Sequence, residues 1–323
     1  MELKGKLIYI LDNYVLRFLK DETFLKIKYR RIMKKRLNLD NPQTFNEKLQ
    51  WLKLYDRKDI YTTMVDKFEA KKYVANIIGE EYIIPTLGIY EKFEDINFDE
   101  LPEKFVIKCT HDSGGIVICK DKSKFDLKKA RKKINKNLKR NFYYNFREWP
   151  YKNVKPRIIV EKYMENPNNK ELVDYKLMSF NGKVKCSFVC LNRNSKEGLN
   201  VDFYDINWRK MPFERHYKNS NIILEKPQNY DLMIELAEKL TQNTIFLRVD
   251  FYEIEGKIYF GELTFYPGAG LEEFKPEKYD KILQKSVEVN GMIEILFMER
   301  ILFFGKIFQS FINCKMLMTW ERC

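Results

Sequence analysis

Residues 244–270, TIFLRVDFYEIEGKIYFGELTFYPGAG, constrain this chain more than any other stretch. Apolar and β-branched residues alternate with polar ones from Phe246 to Tyr252 and again from Lys257 to Thr264, which is strand periodicity. Glu255-Gly256 between them makes a tight turn. Side chains two apart on a strand share a face, so Arg248, Asp250 and Tyr252 group together, as do Glu262 and Thr264 on the partner. The obvious hairpin register sets Asp250 beside Glu262. Adjacent carboxylates repel unless a cation lies between them, and an oxygen-only pair suits a magnesium ion shared with phosphate oxygens. The planar fork of Arg248 suits a phosphoryl group. The competing reading is an ordinary hairpin, with two solvated acids and an arginine that pairs with them.

A chain of 323 residues can bury a sizeable core spread over two or three lobes. Its net charge of +13 implies affinity for anions: nucleotide, nucleic acid, acidic polymer or membrane surface. Charge does not choose among them. The cysteines form no CxxC pair and the only histidines are His111 and His216, which argues against a zinc finger or a histidine-built metal centre. Buried free thiols in a reducing compartment are expected instead. The N-terminal apolar run is broken by Asp12 and Asn13 and no small-residue cleavage site follows it. No stretch reaches transmembrane length, so a cytoplasmic location is expected.

Along the chain, Leu7, Leu11, Val15, Phe18 and Leu19 share one helical face, which either packs on the body of the protein or lies in a membrane interface. Thr44 and Glu47 have capping-box spacing at the head of a helix over residues 44–54, and a further helix is expected over 66–78. A strand follows at residues 87–90. FVIKCTHDSGGIVICKD then reads as strand, Ser113-Gly114-Gly115 loop and returning strand, with Lys108 aimed at the same space. It lacks a terminal Gly-Lys-Ser/Thr and opens no helix, so it is not a P-loop. The lysine-rich helix over 126–140 is either a solvated face or a landing strip for an anionic polymer or lipid. Phe142, Tyr143 and Tyr144 offer stacking for single-stranded nucleic acid, but no nucleic-acid motif accompanies them. RIIVEKYMEN reads as a strand ending at Glu161-Lys162-Tyr163. ELVDYKLMSF and KVKCSFVCLNR flank the turn Asn181-Gly182, an irregular stretch carries Trp208, and a helix covers 231–242. Strand pairs with intervening helices make the fold class α+β or mixed α/β. The apolar tail after Asp280 is either a buried helix or an amphipathic membrane contact.

The motifs NPQTFNEKLQWLKLYDR, VDKFEAKKYV, FVIKCTHDSGG, RIIVEKYMEN, VDYKLMSFNGK, FLRVDFYEIEGKIYFGELTFYPGAG and KPEKYD, in this order over residues 41–280, resemble the TupA-like branch of the ATP-grasp superfamily. The resemblance implies nucleotide bound between two α+β subdomains under a covering loop. It implies a helical region over 1–60 and an ATP-grasp domain over 61–283, with a small lid at about 100–160 and a metal-site subdomain at about 161–283. An apolar tail over 284–323 follows.

By the same resemblance Lys67 and Lys108 approach the phosphates, and Ser113, Gly114 and Gly115 form the covering loop. Glu161, Lys162 and Tyr163 form the adenine hinge, and Asp174 or Lys176 stands near ribose or phosphate. Arg248, Asp250 and Glu262 are the arginine and metal-binding acids. The superfamily's third metal ligand is an asparagine, and here Thr264 holds that place.

What the resemblance implies is an ATP- and Mg²⁺-dependent ligase. Arg248 and Lys108 would be catalytic as γ-phosphate passes to a carboxylate, and an amine would displace it from the acyl phosphate. The branch's association with surface polysaccharide suggests a sugar acid joined to an amine or amino acid, with peripheral contact at the inner membrane face. Two alternatives are a glycosyltransferase of capsule, exopolysaccharide or O-antigen synthesis, which lacks its usual Asp-x-Asp clamp here, and a non-catalytic scaffold for polymer or membrane.

Overall fold

Thr44 fixes where the first long buried helix begins. Its hydroxyl accepts the Glu47 N–H at 3.2 Å, and the Glu47 carboxylate accepts the N–H groups of Thr44 and Gln43, at 3.2 and 2.8 Å. The computed structural model describes residues 16–166, 172–192 and 198–287. In chain order its helices are α1 (Asp21–Met33), α2 (Phe45–Tyr55), α3 (Ile60–Val65), α4 (Glu69–Ile78), α5 (Leu127–Leu138), α6 (Tyr143–Phe146), α7 (Tyr230–Thr241) and α8 (Lys278–Lys285). Its strands are β1 (Thr86–Tyr90), β2 (Phe105–Cys109), β3 (Ile116–Cys119), β4 (Ile158–Lys162), β5 (Asp174–Phe180), β6 (Lys183–Leu191), β7 (Asn200–Asp205), β8 (Glu214–Arg215), β9 (Phe246–Ile254), β10 (Lys257–Thr264) and β11 (Phe274–Lys275).

The strands make a four-stranded sheet in the order β1-β4-β2-β3, a five-stranded sheet in the order β10-β9-β5-β6-β7, and the small pair β11-β8. Every pairing within them is antiparallel. On the smaller sheet Phe105, Ile107, Cys109, Ile158 and Val160 turn one face to Ala130 and Ile134 of α5. Val106 and Lys108 alternate with them and face the other way. On the larger sheet Phe180 and Phe246 pack on Phe45 of α2, with ring centroids 5.7 and 5.0 Å away. Buried Phe45, Leu49, Trp51 and Leu52 make α2 part of the core.

Several expectations change. The helix foreseen over 66–78 begins at Glu69, because the Asp66 carboxylate accepts the N–H groups of Phe68 and Glu69 and stops the turn there. The stretch expected to be irregular before Trp208 contains β7, in which buried Val201 and Phe203 alternate with polar residues along the outer strand of the larger sheet. β9 runs two residues past Tyr252, to Ile254. The helical face beginning at Leu7 falls mostly outside the described residues, as does the apolar tail from Glu288 onward. Among the described residues no helix is long and apolar enough to cross a membrane.

Candidate active site

β9 and β10 pair so that Asp250 stands opposite Glu262 and Arg248 opposite Thr264. This register depends on one residue. From Lys257 to Phe260 the strands pair without interruption, and continuing that register would set Gly261 against Asp250 and Glu262 against Val249. Glu262 would then point to the other face of the sheet. A bulge between Phe260 and Glu262 leaves Gly261 as the extra residue and returns Glu262 to the face of Asp250. Glycine suits that place: a Cβ there would lie 3.1 Å from the Asp250 carbonyl oxygen and 3.1 Å from the Tyr252 ring.

The two acids are held by cations. Arg248 donates from Nε to Asp250 Oδ1 at 2.6 Å, and from one terminal nitrogen to Asp250 Oδ2 at 2.7 Å and Glu262 Oε1 at 2.6 Å. Lys176 of β5, in register with Asp250, donates to Asp250 and, at 2.5 Å, to Asp174 Oδ2. Thr264 Oγ1 donates to Glu262 Oε1 at 3.2 Å. The arginine thus pairs with both acids, as in the ordinary-hairpin reading, but in a buried setting: Asp250 is 1% exposed. Burial raises the Asp250 pKa, against the pull of Arg248 and Lys176. Burial also works to raise Glu262, but Arg248 and then Lys176 outweigh it and hold that carboxyl at about 2. Lys176 is pushed down by burial and more than restored by Asp250, so it stays protonated.

Asp174, Lys176, Asp250 and Glu262 line one wall of a cavity of about 360 Å³. The opposite wall comes from the smaller sheet and its loop. Glu161 of β4 is buried, with one oxygen on Lys108 at 2.5 Å and the other on Lys71. Burial would raise Glu161, yet Lys108 and Lys71 together keep it below the ordinary carboxylate range. Lys67 donates to the Asp112 carbonyl and so ties the glycine loop to the start of α4. Within that loop Gly114 has φ +123°, and a Cβ there would meet nothing within 4 Å. Gly115 is tighter: its N–H donates to Asp112 Oδ1 at 3.2 Å, and a Cβ would lie 2.8 Å from that oxygen.

Of the residues singled out in the sequence, Lys67, Lys108, Ser113, Gly114, Gly115, Glu161, Asp174, Lys176, Asp250 and Glu262 line this cavity. Arg248 and Thr264 stand behind the acids. Lys162 is exposed, with its N–H on the Pro85 carbonyl, and Tyr163 lies beyond the end of β4, 5.8 Å from the Lys120 ammonium. Lys71 and Tyr151 also line the cavity and were missed, as does Asp112, which the sequence puts in the same loop as Ser113 but without a role. The signal for Lys71 was its place four residues after Lys67 in VDKFEAKKYV, a spacing that puts both on one side of a helical stretch. Nothing in the sequence marked Tyr151.

Two carboxylates are what the site offers a hard divalent cation, and among the described residues no group of three or more His, Cys, Asp or Glu side chains is placed to hold a metal ion. Asp250 and Glu262 offer carboxylate oxygens side by side, and Arg248 and Lys176 now supply the positive charge that such an ion would bring. Four lysines converging on the same space suit a polyphosphate.

A family model described as TupA-like ATPgrasp matches residues 47–288, about three quarters of the chain. Among solved structures, a D-alanine–D-alanine ligase from Helicobacter pylori is 12% identical, with a TM-score of 0.41, covering 70% of this chain and 63% of its own. An L-amino acid ligase from Bacillus licheniformis is 13% identical, with a TM-score of 0.41, covering 79% of this chain and 57% of its own. A D-alanine–D-alanine ligase from Bacillus anthracis complexed with ATP is 18% identical, with a TM-score of 0.34, covering 62% and 53%. The chain spans less than two thirds of each of these three structures. No curated protein matches the sequence.

Proposed function

This chain belongs to the TupA-like ATP-grasp family, and on that premise we propose that it is an ATP-dependent carboxylate–amine ligase acting in surface-polysaccharide synthesis. The observation that carries the proposal is convergence: Lys67, Lys71, Lys108, Lys176, Asp250 and Glu262, from distant parts of the sequence, line one cavity beside a serine–glycine loop. Bound magnesium would supply charge neutralisation at the β- and γ-phosphates. Asp250 and Glu262 would hold it, with Arg248 turning part of its fork from the acids to the transferring phosphoryl. Lys67 and Lys108 would fix positive charge where the transition state is most negative. Ser113, Gly114 and Gly115 would cover the phosphates and exclude water, and Glu161 would take the adenine amino group once Lys108 moves to phosphate.

The γ-phosphoryl passes to a substrate carboxylate, and an amine then displaces phosphate to leave an amide. That sequence needs no protein nucleophile, so a Ser/His or Cys/His pair is not required. The basic charge suits a sugar acid as the carboxylate partner and an amino acid or amino group as the other. Thermal-shift titration with ATP-Mg and a panel of UDP-sugars tests the donor: stabilisation by ATP-Mg is expected, and stabilisation by UDP-sugars alone would overturn the reading in favour of a glycosyltransferase. Mass spectrometry of surface polysaccharide from cells with and without the protein tests the product, the expected difference being a missing amide-linked substituent.

A further inference from the structure

Beside the candidate site runs a groove of about 620 Å³, walled on one side by β3 with Lys120 and on the other by Lys124, Phe125, Lys129 and Lys133. Ile116 lines both the groove and the cavity, so the two are continuous where the serine–glycine loop enters β3. β3 ends its sheet: β2 lies on one side and, among the described residues, no strand lies on the other. In antiparallel pairs, residues that exchange hydrogen bonds alternate with residues that do not. The Cys109 N–H donates to the Gly115 carbonyl at 2.7 Å, so the bonded pairs continue at Ile107 with Val117 and Phe105 with Cys119. The N–H and C=O groups of Ile116 and Ile118 therefore point to the open edge. Their side chains are 38% and 49% exposed.

Part of the charge beside this edge has no carboxylate partner among the described residues. The two acids of the groove are already engaged: Asp121 accepts from Ser123 and pairs with Lys124 at 2.8 Å, and Asp126 caps α5 by accepting the Lys129 N–H at 2.9 Å. Lys129 and Lys133 are exposed one helical turn apart and, like Lys120, have no carboxylate partner among the described residues. Unpaired main-chain groups at strand spacing next to unpaired cations define a ligand with both features.

We infer that the edge of β3 is a docking rail for an extended acidic peptide, which adds as a further strand and sets its carboxylates against Lys129 and Lys133. Residues of such a strand alternate between faces. One set meets α5 and its lysines, and the other lies beside Ile116 and Ile118 on the cavity side. An alternating acidic–apolar sequence matches both. Main-chain pairing selects a peptide over a glycan, which has no repeating N–H and C=O at strand spacing. The continuity at Ile116 brings the peptide to the serine–glycine loop. Lysines near an edge can instead serve only to repel other edges, and that role predicts no peptide binding.

Fluorescence anisotropy of a labelled Glu-Val alternating octapeptide with the full chain tests this without any turnover. Replacing Glu by Gln in the peptide, methylating alternate peptide nitrogens, or making the double variant Lys129→Glu/Lys133→Glu is each expected to weaken binding at least tenfold. Ile118→Pro should do the same, since proline there removes an outward N–H and no bond to β2. The methylated peptide makes the same test without altering the protein, should the proline variant fail to fold. No binding by the parent peptide would overturn the inference. So would undiminished binding of the methylated one, or equal affinity for polygalacturonate at the same carboxylate concentration.

Discussion

Asp250, in the larger sheet, is 1% exposed and accepts hydrogen bonds from both Arg248 and Lys176. Gly114, on the loop of the smaller sheet, is exposed, and an added Cβ would touch nothing within 4 Å. Both line the same cavity. One wall is therefore a closed network in which each charge is satisfied by another before any ligand arrives. The other is a glycine loop tied down through Lys67 and Asp112 but open at its tip. The difference separates two tasks. On the proposed function the buried network would hold the charges that face the phosphates, with only part of the Arg248 fork turning to the phosphoryl, whereas admitting and covering a nucleotide would call for a segment that can move.

Substitutions in the two walls should differ in kind as well as size. Glu262→Gln, assayed with saturating Mg²⁺, is expected to lower turnover by roughly two to three orders of magnitude. Near-normal turnover would remove the metal assignment and the contrast with it. Asp250→Ala should lose activity as far and also destabilise the fold by about 3 kcal/mol in urea unfolding, because it takes from the buried Arg248 and Lys176 one of the two carboxylates each of them pairs with. Lys108→Ala, on the open wall, should weaken ATP binding roughly tenfold by calorimetry, about 1.4 kcal/mol, and cost less stability than Asp250→Ala, because Lys71 still pairs with the buried Glu161.

Gly114→Ala sharpens the comparison further. Its φ of +123° strains an alanine, so the Michaelis constant for ATP should rise a few-fold while the melting temperature hardly changes. The smallest effect expected is on acid stability. Glu161 and Glu262 both have folded pKa values below their unfolded ones, so their stabilisation is present above about pH 4.3 and is lost as pH falls through the folded values. For Glu262, half-exposed and screened by water, that value is about 2. Melting curves between pH 5 and pH 2 should show a shallower acid limb in Glu161→Gln than in the parent chain.

Much of the architecture was legible because it rests on local rules. The capping box at Thr44, the turns at Asn181-Gly182 and Glu255-Gly256, and the period of α5 all act within a few residues. β7 was obscured because a turn at Trp208 follows it closely and its partner β6 is separated from it in sequence by residues 192–199. In the site, the acids and the lysines near glycine stood out as motifs. Tyr151 did not, because it reaches the cavity only through the way its segment packs.

The order of motifs by itself determined the family, and side-chain type and spacing determined the three hairpins β2–β3, β5–β6 and β9–β10 and which acids stand on the last of them. Whether those acids meet was decided by the tertiary structure. A strand's side chains alternate with a period of two, so one extra residue reverses every face beyond it. The glycine at position 261 is compatible with a flat strand or a bulge, and only packing against β5, with Lys176 and Arg248 waiting on one face, selects the bulge that brings Glu262 to Asp250.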